Sequence, residues 1–279
     1  MARRGPLARA LALAPHYLIA FLALALTLFP LLWILGISLK TKRDAFAIPP
    51  VWRFDPVWQN YVRVLDNPGF REAIGNSLLV TLAGVALSLL LAIPAAYALN
   101  RQRVRGRRVL AVWLLLAYML PEFLFIIPMY VLYQAIGLYD TTIGLALAYQ
   151  VHVLPFAVWL LRSFFAEVPD ELEEAARIDG CGSLAVLWRV YLPLTLPGIA
   201  ATAVLNAIWI WNELAIALGL TFRNAQTVTV AVTSYRGYAS IEWGPMTAAS
   251  ILAILPMLAL AFLAQRWIVR GLTLGAVKG

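Results

Sequence analysis

The chain has 279 residues, of which 62% are hydrophobic and 13% are charged. Soluble domains have about 45–50% apolar and about 25% charged residues, so a soluble fold of this length would leave much apolar surface in water. The net charge of +8 is typical of a membrane protein with basic loops. Nucleic-acid binding would need a soluble basic face, and the sequence has none.

Stretches almost free of charge divide the sequence into six segments, each long enough for the roughly 20 residues that span a bilayer. We predict an all-α integral membrane protein. Its six transmembrane helices are expected near residues 15–39, 73–99, 109–135, 142–162, 198–220 and 245–266. The first apolar run is about twice as long as the h-region of a cleaved signal peptide, so we expect a retained helix.

The predicted domain organisation follows from these spans. A transmembrane domain covers 15–266, including an outer loop at 40–72, and it is flanked by a cytoplasmic N-terminus at 1–14 and a cytoplasmic tail at 267–279. Arginine and lysine residues set the predicted orientation, because they accumulate on cytoplasmic loops. The side that holds both termini carries 14 of the 22. We therefore expect a multi-pass protein of the inner membrane with both termini cytoplasmic, although the basic cluster at 40–43 opposes this orientation.

Two local patterns add detail. Gly84, Ser88, Ala92 and Ala96 recur at every fourth position of the second predicted span, and such a stripe either lets helices approach closely or arises by chance in an alanine-rich chain. In the outer loop, the aromatic stretch 57–65 is predicted to form a short helix at the membrane interface.

The segment 164–197, here called the elbow, separates the fourth and fifth predicted spans. An acidic helix is predicted to begin at Asp170, since acidic side chains favour the positive end of a helix dipole. Gly180 and Gly182 are predicted to permit the positive φ of a sharp turn, and a second helix is predicted over 183–191. The prolines expected to end this helix before the fifth span are Pro193 and Pro197. The elbow is either an interfacial re-entrant loop or a docking site for a soluble partner.

The elbow carries a motif that resembles the EAA loop of ABC-importer permeases. Its residues are Glu174, Ala175, Ala176, Asp179, Gly180, Pro193 and Pro197. The resemblance extends over nearly the whole chain to the carbohydrate-type permeases of the maltose-permease-like group. The further matching positions are Asn60-Tyr61, Asn76-Ser77, Leu154-Pro155-Phe156, Trp211-Asn212-Glu213, Gly271-Leu272-Thr273 and Gly275-Ala276-Val277-Lys278-Gly279. One departure is Cys181, where the family more often has alanine, and both side chains are small.

This resemblance implies a permease subunit that pairs with a second permease subunit on two copies of a cytoplasmic ATPase. It also implies that an extracytoplasmic binding protein delivers a sugar, and that the elbow docks into a cleft of the ATPase. The sequence has no G-x-x-x-x-G-K-[ST] loop to hold phosphates. We therefore expect this chain to bind no cofactor and to be no enzyme, with ATP and magnesium bound by the partner ATPase.

Details of the elbow can be predicted as well. Leu184, Leu187 and Trp188 are expected on one face of its second helix. Asp179 is expected to cap that helix or to brace the turn through backbone N–H groups. Glu174 is expected to project towards a basic residue of the ATPase.

A candidate substrate path is predicted inside the bundle. Glu122 and Glu213 are the ionisable residues expected in mid-span, where such groups face the bundle interior or a wet cavity. Asn206, Trp209 and Asn212 lie near Glu213 and offer hydrogen bonds and an aromatic surface to a sugar. Alternatively, Asn212 and Glu213 tie helices together or form a gate, and Trp209 simply packs.

Other classes of protein would leave different signatures. A secondary transporter driven by an ion gradient favours intramembrane ionisable relays and repeated halves, and a membrane-embedded enzyme needs a nucleophile–base or metal constellation. The sequence offers neither pattern. Two histidines and one cysteine lack metal-ligand spacing, so we expect no metal site and only local hydrogen bonding from His16 and His152.

Overall fold

The computed structural model describes the backbone of residues 6–101, 106–237 and 241–274. Within these ranges the chain is helical, and the extended pairing is limited to an isolated bridge between Arg236 and Ile241. The described residues form two compact units, with boundaries after Asn67, Ser234 and Leu252. The described residues leave out part of the predicted basic loop at 100–108, both ends of the chain and the segment 238–240.

The helices are numbered in chain order. The first unit contains α1 (Pro6–Ser38), α2 (Lys42–Ala45), α3 (Gln59–Asp66) and the start of α14 (Trp243–Leu274). The second unit contains α4 (Pro68–Arg101), α5 (Arg107–Met119), α6 (Phe123–Ile136), α7 (Thr142–Ala148), α8 (Gln150–Ala166), α9 (Asp170–Ile178), α10 (Ser183–Val186), a π-helical turn (Leu187–Tyr191), α11 (Leu192–Asn212), α12 (Ala215–Leu220), α13 (Val228–Thr233) and the rest of α14.

The predicted six-span, all-α architecture is confirmed. Four described helical stretches are long and apolar enough to cross a bilayer alone. They are Pro15–Ser38, Pro68–Asn100, Ser183–Asn212 and Trp243–Gln265. The bent pairs α5–α6 and α7–α8 supply two more spans, which gives six. The helices α1 and α14 extend past the predicted span ends at 15 and 266.

The third and fourth spans differ from the prediction, which gave each a single helix. The axes of α5 and α6 meet at 94°, and those of α7 and α8 meet at 49°. In the third span, Leu120 is extended at φ −70° and ψ 133°. A residue before a proline avoids the helical region, and Pro121 has no N–H to donate, so the helix ends there.

The fifth span is displaced from its predicted bounds of 198–220. It begins at Ser183, passes through Pro193 and Pro197, and ends at Asn212. The expectation that these prolines end the second elbow helix is therefore wrong. Pro193 directly follows a π-helical turn, in which the N–H of Leu192 donates to the carbonyl of Leu187, and the helix continues through it.

The small residues of α4 form a packing face. Gly84, Ser88, Ala92 and Ala96 are buried against α8 and α11, and the amide of Gln150 donates to the carbonyl of Gly84 at 3.1 Å. A methyl group at Gly84 would lie 2.8 Å from Cδ1 of Ile210. The stripe therefore lets helices approach closely, which is the structural alternative that the sequence left open.

The short helix predicted at 57–65 is confirmed as α3. In the first unit, the hydroxyl groups of Tyr61 and Ser38 lie 2.7 Å apart, and the amide of Asn60 donates to the carbonyl of Ser38 at 2.9 Å. These bonds fix α3 to the end of α1.

Candidate functional site

The elbow has the predicted helix–turn–helix form. Its acidic helix α9 begins after Pro169, and its turn places Gly180 at φ +81°. The N–H of Cys181 donates to the carbonyl of Ala176 at 2.9 Å, which closes the end of α9. Gly180 thus occupies the left-handed conformation that favours glycine, as predicted. The same prediction is wrong for Gly182, whose φ of −72° is open to any residue.

Five of the seven motif residues lie at the tip of the elbow, while Pro193 and Pro197 lie within α11. Glu174, Ala175, Asp179 and Gly180 are exposed, and Ala176 is half-buried. Asp179 ends α9, where its N–H donates to the carbonyl of Ala175 at 3.0 Å. The helix α10 begins instead from Gly182, without a side-chain cap, so the expected capping of that helix by Asp179 is wrong.

Large apolar side chains flank the same turn. Ile178 is 86% exposed and Leu184 is 68% exposed, and Trp188 is also exposed. Leu187 is buried, so the prediction that Leu184, Leu187 and Trp188 share one face is wrong. The tip of the elbow therefore combines an acidic helix with exposed apolar side chains.

Sequence reasoning missed the role of Glu173, which directly precedes the motif. Its side chain is buried although its neighbour Glu174 is exposed. The hydroxyl of Tyr191 donates to its carboxylate at 2.8 Å, that of Tyr97 donates at 3.4 Å, and Nη2 of Arg177 lies 2.7 Å away. The spacing of Glu173 and Arg177 by four residues was the available sequence signal.

A second site lies where two spans are interrupted. A cavity of about 500 Å³ is bordered by residues of α11, by the start of α12 and by the break between α5 and α6. Its lining residues are Glu122, Leu205, Ile208, Trp209, Asn212, Glu213, Leu214 and Ala215. The structure therefore brings together four of the five predicted path residues.

Two residues that line this cavity, Trp209 and Glu122, are contacted by His152, which does not line it. The imidazole of His152 stacks on the indole of Trp209, with ring centroids 4.2 Å apart, and lies 4.6 Å from the ring of Tyr118. Its Nδ1 lies 3.5 Å from Oε1 of Glu122. His152 thus contacts two residues of the candidate site, although no pattern in the sequence indicated it.

Glu213 and Asn206 hold the helices in place. Glu213 is buried, and its carboxylate accepts the N–H groups of Ile216 at 2.7 Å and Ala217 at 3.0 Å. This arrangement caps α12. The amide of Asn206 donates to the hydroxyl of Ser88 at 2.9 Å and also contacts the carbonyl of Val153, which joins α11 to α4 and α8. Asn206 does not line the cavity.

Asp140 forms a further polar junction that the sequence did not indicate. We call Asp140 and the segment 222–225 the Asp140 clasp. Its carboxylate accepts the backbone N–H groups of four consecutive residues, from Phe222 to Ala225, at 2.9–3.1 Å. Partial burial alone would raise the pKa of Asp140, but these N–H donors outweigh it and lower the pKa below its ordinary value.

The clasp continues onto α4. The amide of Asn76 donates to the carbonyl of Asn224 at 2.9 Å, and the hydroxyl of Ser77 accepts the N–H of Val228 at 2.7 Å. The Asn76-Ser77 pair therefore fixes the loop that follows α12. This gives a structural role to one of the weaker matches in the family resemblance.

An all-helical bundle with interrupted spans, a cavity with a few polar side chains at the interruptions and an exposed helical elbow is the architecture of a membrane permease. It belongs to the family of binding-protein-dependent transport system inner membrane components, whose model matches residues 84–274. This membership supports the predicted importer and not the ion-gradient-driven alternative.

Several curated relatives match almost the full chain. The trehalose transport system permease protein SugB of Mycobacterium tuberculosis is 37% identical over 264 residues, which cover 92% of this chain and 95% of that one. The diacetylchitobiose uptake system permease protein DasC of Streptomyces coelicolor is 36% identical, with coverages of 90% and 92%. The trehalose/maltose transport system permease protein MalG of Thermococcus litoralis is 34% identical, with coverages of 93% and 95%.

Solved structures share the fold. A chain of a bacterial ABC transporter that imports alginate superposes with a TM-score of 0.74 at 24% identity, covering 95% of this chain and 99% of that one. A chain of the MetNI methionine transporter superposes with a TM-score of 0.59 at 18% identity, covering 78% and 99%.

Proposed function

We propose that this permease forms, with a second permease subunit, the path by which a sugar crosses the membrane. A binding protein on the outer side delivers the sugar, and a dimeric cytoplasmic ATPase, which holds ATP and magnesium, docks on the elbow. The observation that carries the proposal is the similarity, over at least 90% of this chain, to three permeases named for trehalose, trehalose and maltose, and diacetylchitobiose.

The tip of the elbow supports its role as the docking site. Glu174 offers a charge, Ala175 and Ala176 permit close approach, and Ile178 and Leu184 leave apolar surface open for a partner. An exposed ion pair contributes only about 0–1 kcal/mol, so Glu174 would orient the partner more than bind it. Apolar contact at the tip would supply most of the affinity.

The cavity supports a sugar path. We assign substrate contact to Trp209, Glu122 and Asn212, because an indole ring packs on the apolar face of a sugar, while carboxylate and amide groups accept or donate hydrogen bonds to hydroxyls. One face of Trp209 is covered by His152, so the sugar would use the other. Glu213 serves instead as a helix cap, since its oxygens already accept two backbone N–H groups.

Reconstitution tests the function as a whole. The permease is inserted into proteoliposomes with its candidate partner permease, ATPase and sugar-loaded binding protein. We expect sugar uptake to require ATP and to persist when ion gradients are collapsed. Uptake that follows an ion gradient without ATP would contradict the proposal.

Two substitutions test the path. Trp209→Ala and Glu122→Gln are expected to raise the apparent KM for the sugar while expression is unchanged. Trp113→Ala is the matched control, because its indole is exposed on α5 and does not line this cavity. Normal uptake in both cavity variants would remove these residues from the path.

The orientation can be tested by labelling. We propose that both termini and the loop 100–108 are cytoplasmic and that 40–72 and 223–242 face outward. Single cysteines at Gln59 and Gln102, in a Cys181→Ala background, should then label from opposite sides of sealed cells. Labelling of the cysteine at position 102 from outside would overturn this orientation.

A further inference from the structure

The carboxylate of Glu173 is the point where the elbow meets two spans. It lies on α9, accepts the hydroxyl of Tyr97 from α4 at 3.4 Å and accepts that of Tyr191, from the π-helical turn that leads into α11, at 2.8 Å. Tyr191 is fully buried and Tyr97 is 3% exposed. A buried carboxylate needs such donors, because an unpartnered charge away from water is costly.

The partners of Glu173 differ in what they connect. Arg177 lies on the same helix, so its contacts at 2.7 and 3.1 Å balance the charge within α9. The two tyrosines lie on other elements, so their hydroxyls join α9 to the spans. The apolar attachment of α9 is small, since Leu172 and Ile178 are exposed and Ala176 is half-buried against the core. The polar bonds at Glu173 add to this contact.

The π-helical turn determines where Tyr191 points. A π-helical turn contains one more residue than an α-helical turn, and each residue of an α-helix rotates the next side chain by about 100°. The extra residue between Leu187 and Tyr191 thus sets the direction of Tyr191 relative to the rest of α11. The ring of Tyr191 also packs edge-on against Tyr97 and Phe165, with centroids 5.0 and 5.5 Å away.

We propose that Glu173 is a positioning residue that makes α9, α4 and α11 move together, acting through Tyr97 and Tyr191. The inference rests on the proposed function, in which the ATPase engages the tip of the elbow. The exposed motif residues receive the partner, and Glu173 passes the resulting displacement of α9 to two spans. Loss of this junction would leave docking intact and reduce the sugar transported for each ATP hydrolysed.

The test compares four variants in the reconstituted complex. Glu173→Leu removes the acceptor and keeps a similar size, Glu173→Gln keeps an acceptor oxygen, and Tyr191→Phe removes one hydroxyl and keeps the ring. Glu171→Gln is the control, because Glu171 is an exposed carboxylate of the same helix. Three quantities are measured: the amount of ATPase bound, the rate of ATP hydrolysis and the sugar transported per ATP.

We expect Glu173→Leu and Tyr191→Phe to bind the ATPase and hydrolyse ATP, with the sugar transported per ATP lower by about fivefold or more, the scale of one lost buried hydrogen bond. Glu173→Gln should keep most of the sugar transported per ATP, and Glu171→Gln should match the wild type in this quantity. A wild-type ratio in Glu173→Leu overturns the inference. If Glu173→Leu does not assemble, a wild-type ratio in Tyr191→Phe overturns it.

Failure of the proposed function has a different outcome. In that case the wild-type complex itself imports no sugar with ATP, and the sugar transported per ATP cannot be defined for any variant. A lower ratio confined to the Glu173 and Tyr191 variants, against a working wild type and a normal Glu171→Gln control, supports the inference.

Discussion

The Asp140 clasp and the Glu173 junction both use one carboxylate to join distant segments, but the donors differ. Asp140 accepts backbone N–H groups from four consecutive residues, whereas Glu173 accepts side-chain donors from Tyr97, Tyr191 and Arg177. Backbone donors are fixed by the path of the chain. Tyrosine and arginine donors are carried on rotatable bonds.

This difference between the donors indicates which of the two junctions is rigid. A carboxylate held by consecutive backbone N–H groups has essentially one geometry, so the clasp fixes the loop after α12 against the loop before α7. A carboxylate held by side chains from several helices can keep its bonds while those helices shift together by small distances relative to the rest of the bundle. We therefore expect displacement at the elbow and little at the clasp.

The largest effect is expected at the tip of the elbow. Gly180→Val places a β-branched residue at positive φ, which costs on the order of 1 kcal/mol or more, and Ala175→Trp blocks close approach of a partner. Both variants should insert normally, bind the ATPase weakly and abolish ATP-driven uptake. Uptake and complex formation are measured in proteoliposomes.

Gly182→Ala is the matched control for the tip. Gly182 has an ordinary φ of −72°, and a methyl group there meets nothing within 4 Å. It should transport at the wild-type rate. Wild-type assembly and uptake in both Gly180→Val and Ala175→Trp would contradict a coupling role for the elbow.

At the clasp, a large effect on stability is expected without a direct effect on coupling. Asp140→Ala removes the acceptor and leaves a side chain at φ 55°, which should lower the free energy of unfolding by about 2–4 kcal/mol. Asp140→Asn keeps an acceptor and tolerates positive φ, so its loss should be smaller. Denaturant titration in detergent measures both, with the exposed Asp55→Asn as control. Equal stability of Asp140→Ala and wild type would show that the clasp does not hold these loops.

The base of the elbow should be less tolerant of added volume than its tip. A methyl group at Gly198 would collide with the ring of Phe164, where α11 crosses the end of α8. Gly198→Ala is therefore expected to cost about 1–3 kcal/mol. Gly75→Ala in α4, with no atom within 4 Å of the new methyl group, should be neutral or stabilising. The thermal unfolding temperatures of both variants are compared with that of the wild type. An unchanged temperature for Gly198→Ala would show that the side chains at the base of the elbow repack at no cost.

The smallest effect concerns pH and distinguishes the charge of Asp140 from its shape. Its pKa in the folded protein is lowered, so its contribution to stability is complete above the pKa of an unfolded aspartate, about 3.9. This contribution is lost as the pH falls through the lower folded pKa. One titrating group changes the free energy of unfolding by at most about 1.4 kcal/mol per pH unit. The difference in stability between wild type and Asp140→Asn should therefore shrink below about pH 4, and a constant difference down to pH 2 would contradict this origin.

The sequence predicted features that depend on local chemistry. Charge-free runs located the six spans, and Gly180 located the turn of the elbow. It could not predict that Glu173 is buried while Glu174 is exposed, because the distinguishing partner Tyr97 is 76 residues away. The donors to Asp140 lie 82–85 residues away, and apart from the side-chain amide of Asn224 they are backbone groups, which leave no mark on side-chain composition.

The sequence also did not predict where the spans are interrupted, although Pro121 marks one of the breaks. An apolar run predicts that a segment lies in the membrane, but it does not predict a break at Glu213, whose carboxylate starts a new helix. Such a break depends on a cap that competes with helix continuation, and that competition is decided by packing.

The same interruptions have a consequence for what can surround them. A helix that ends inside a span leaves the carbonyl groups of its last turn without intrahelical donors. At the end of α11 the chain supplies donors of its own, since the amide of Asn212 donates to the carbonyl of Ile208 at 2.7 Å and the N–H of Glu213 donates to that of Ile210 at 3.4 Å. Lipid supplies no donors, so we expect the breaks to face protein or the cavity and not the hydrocarbon of the bilayer.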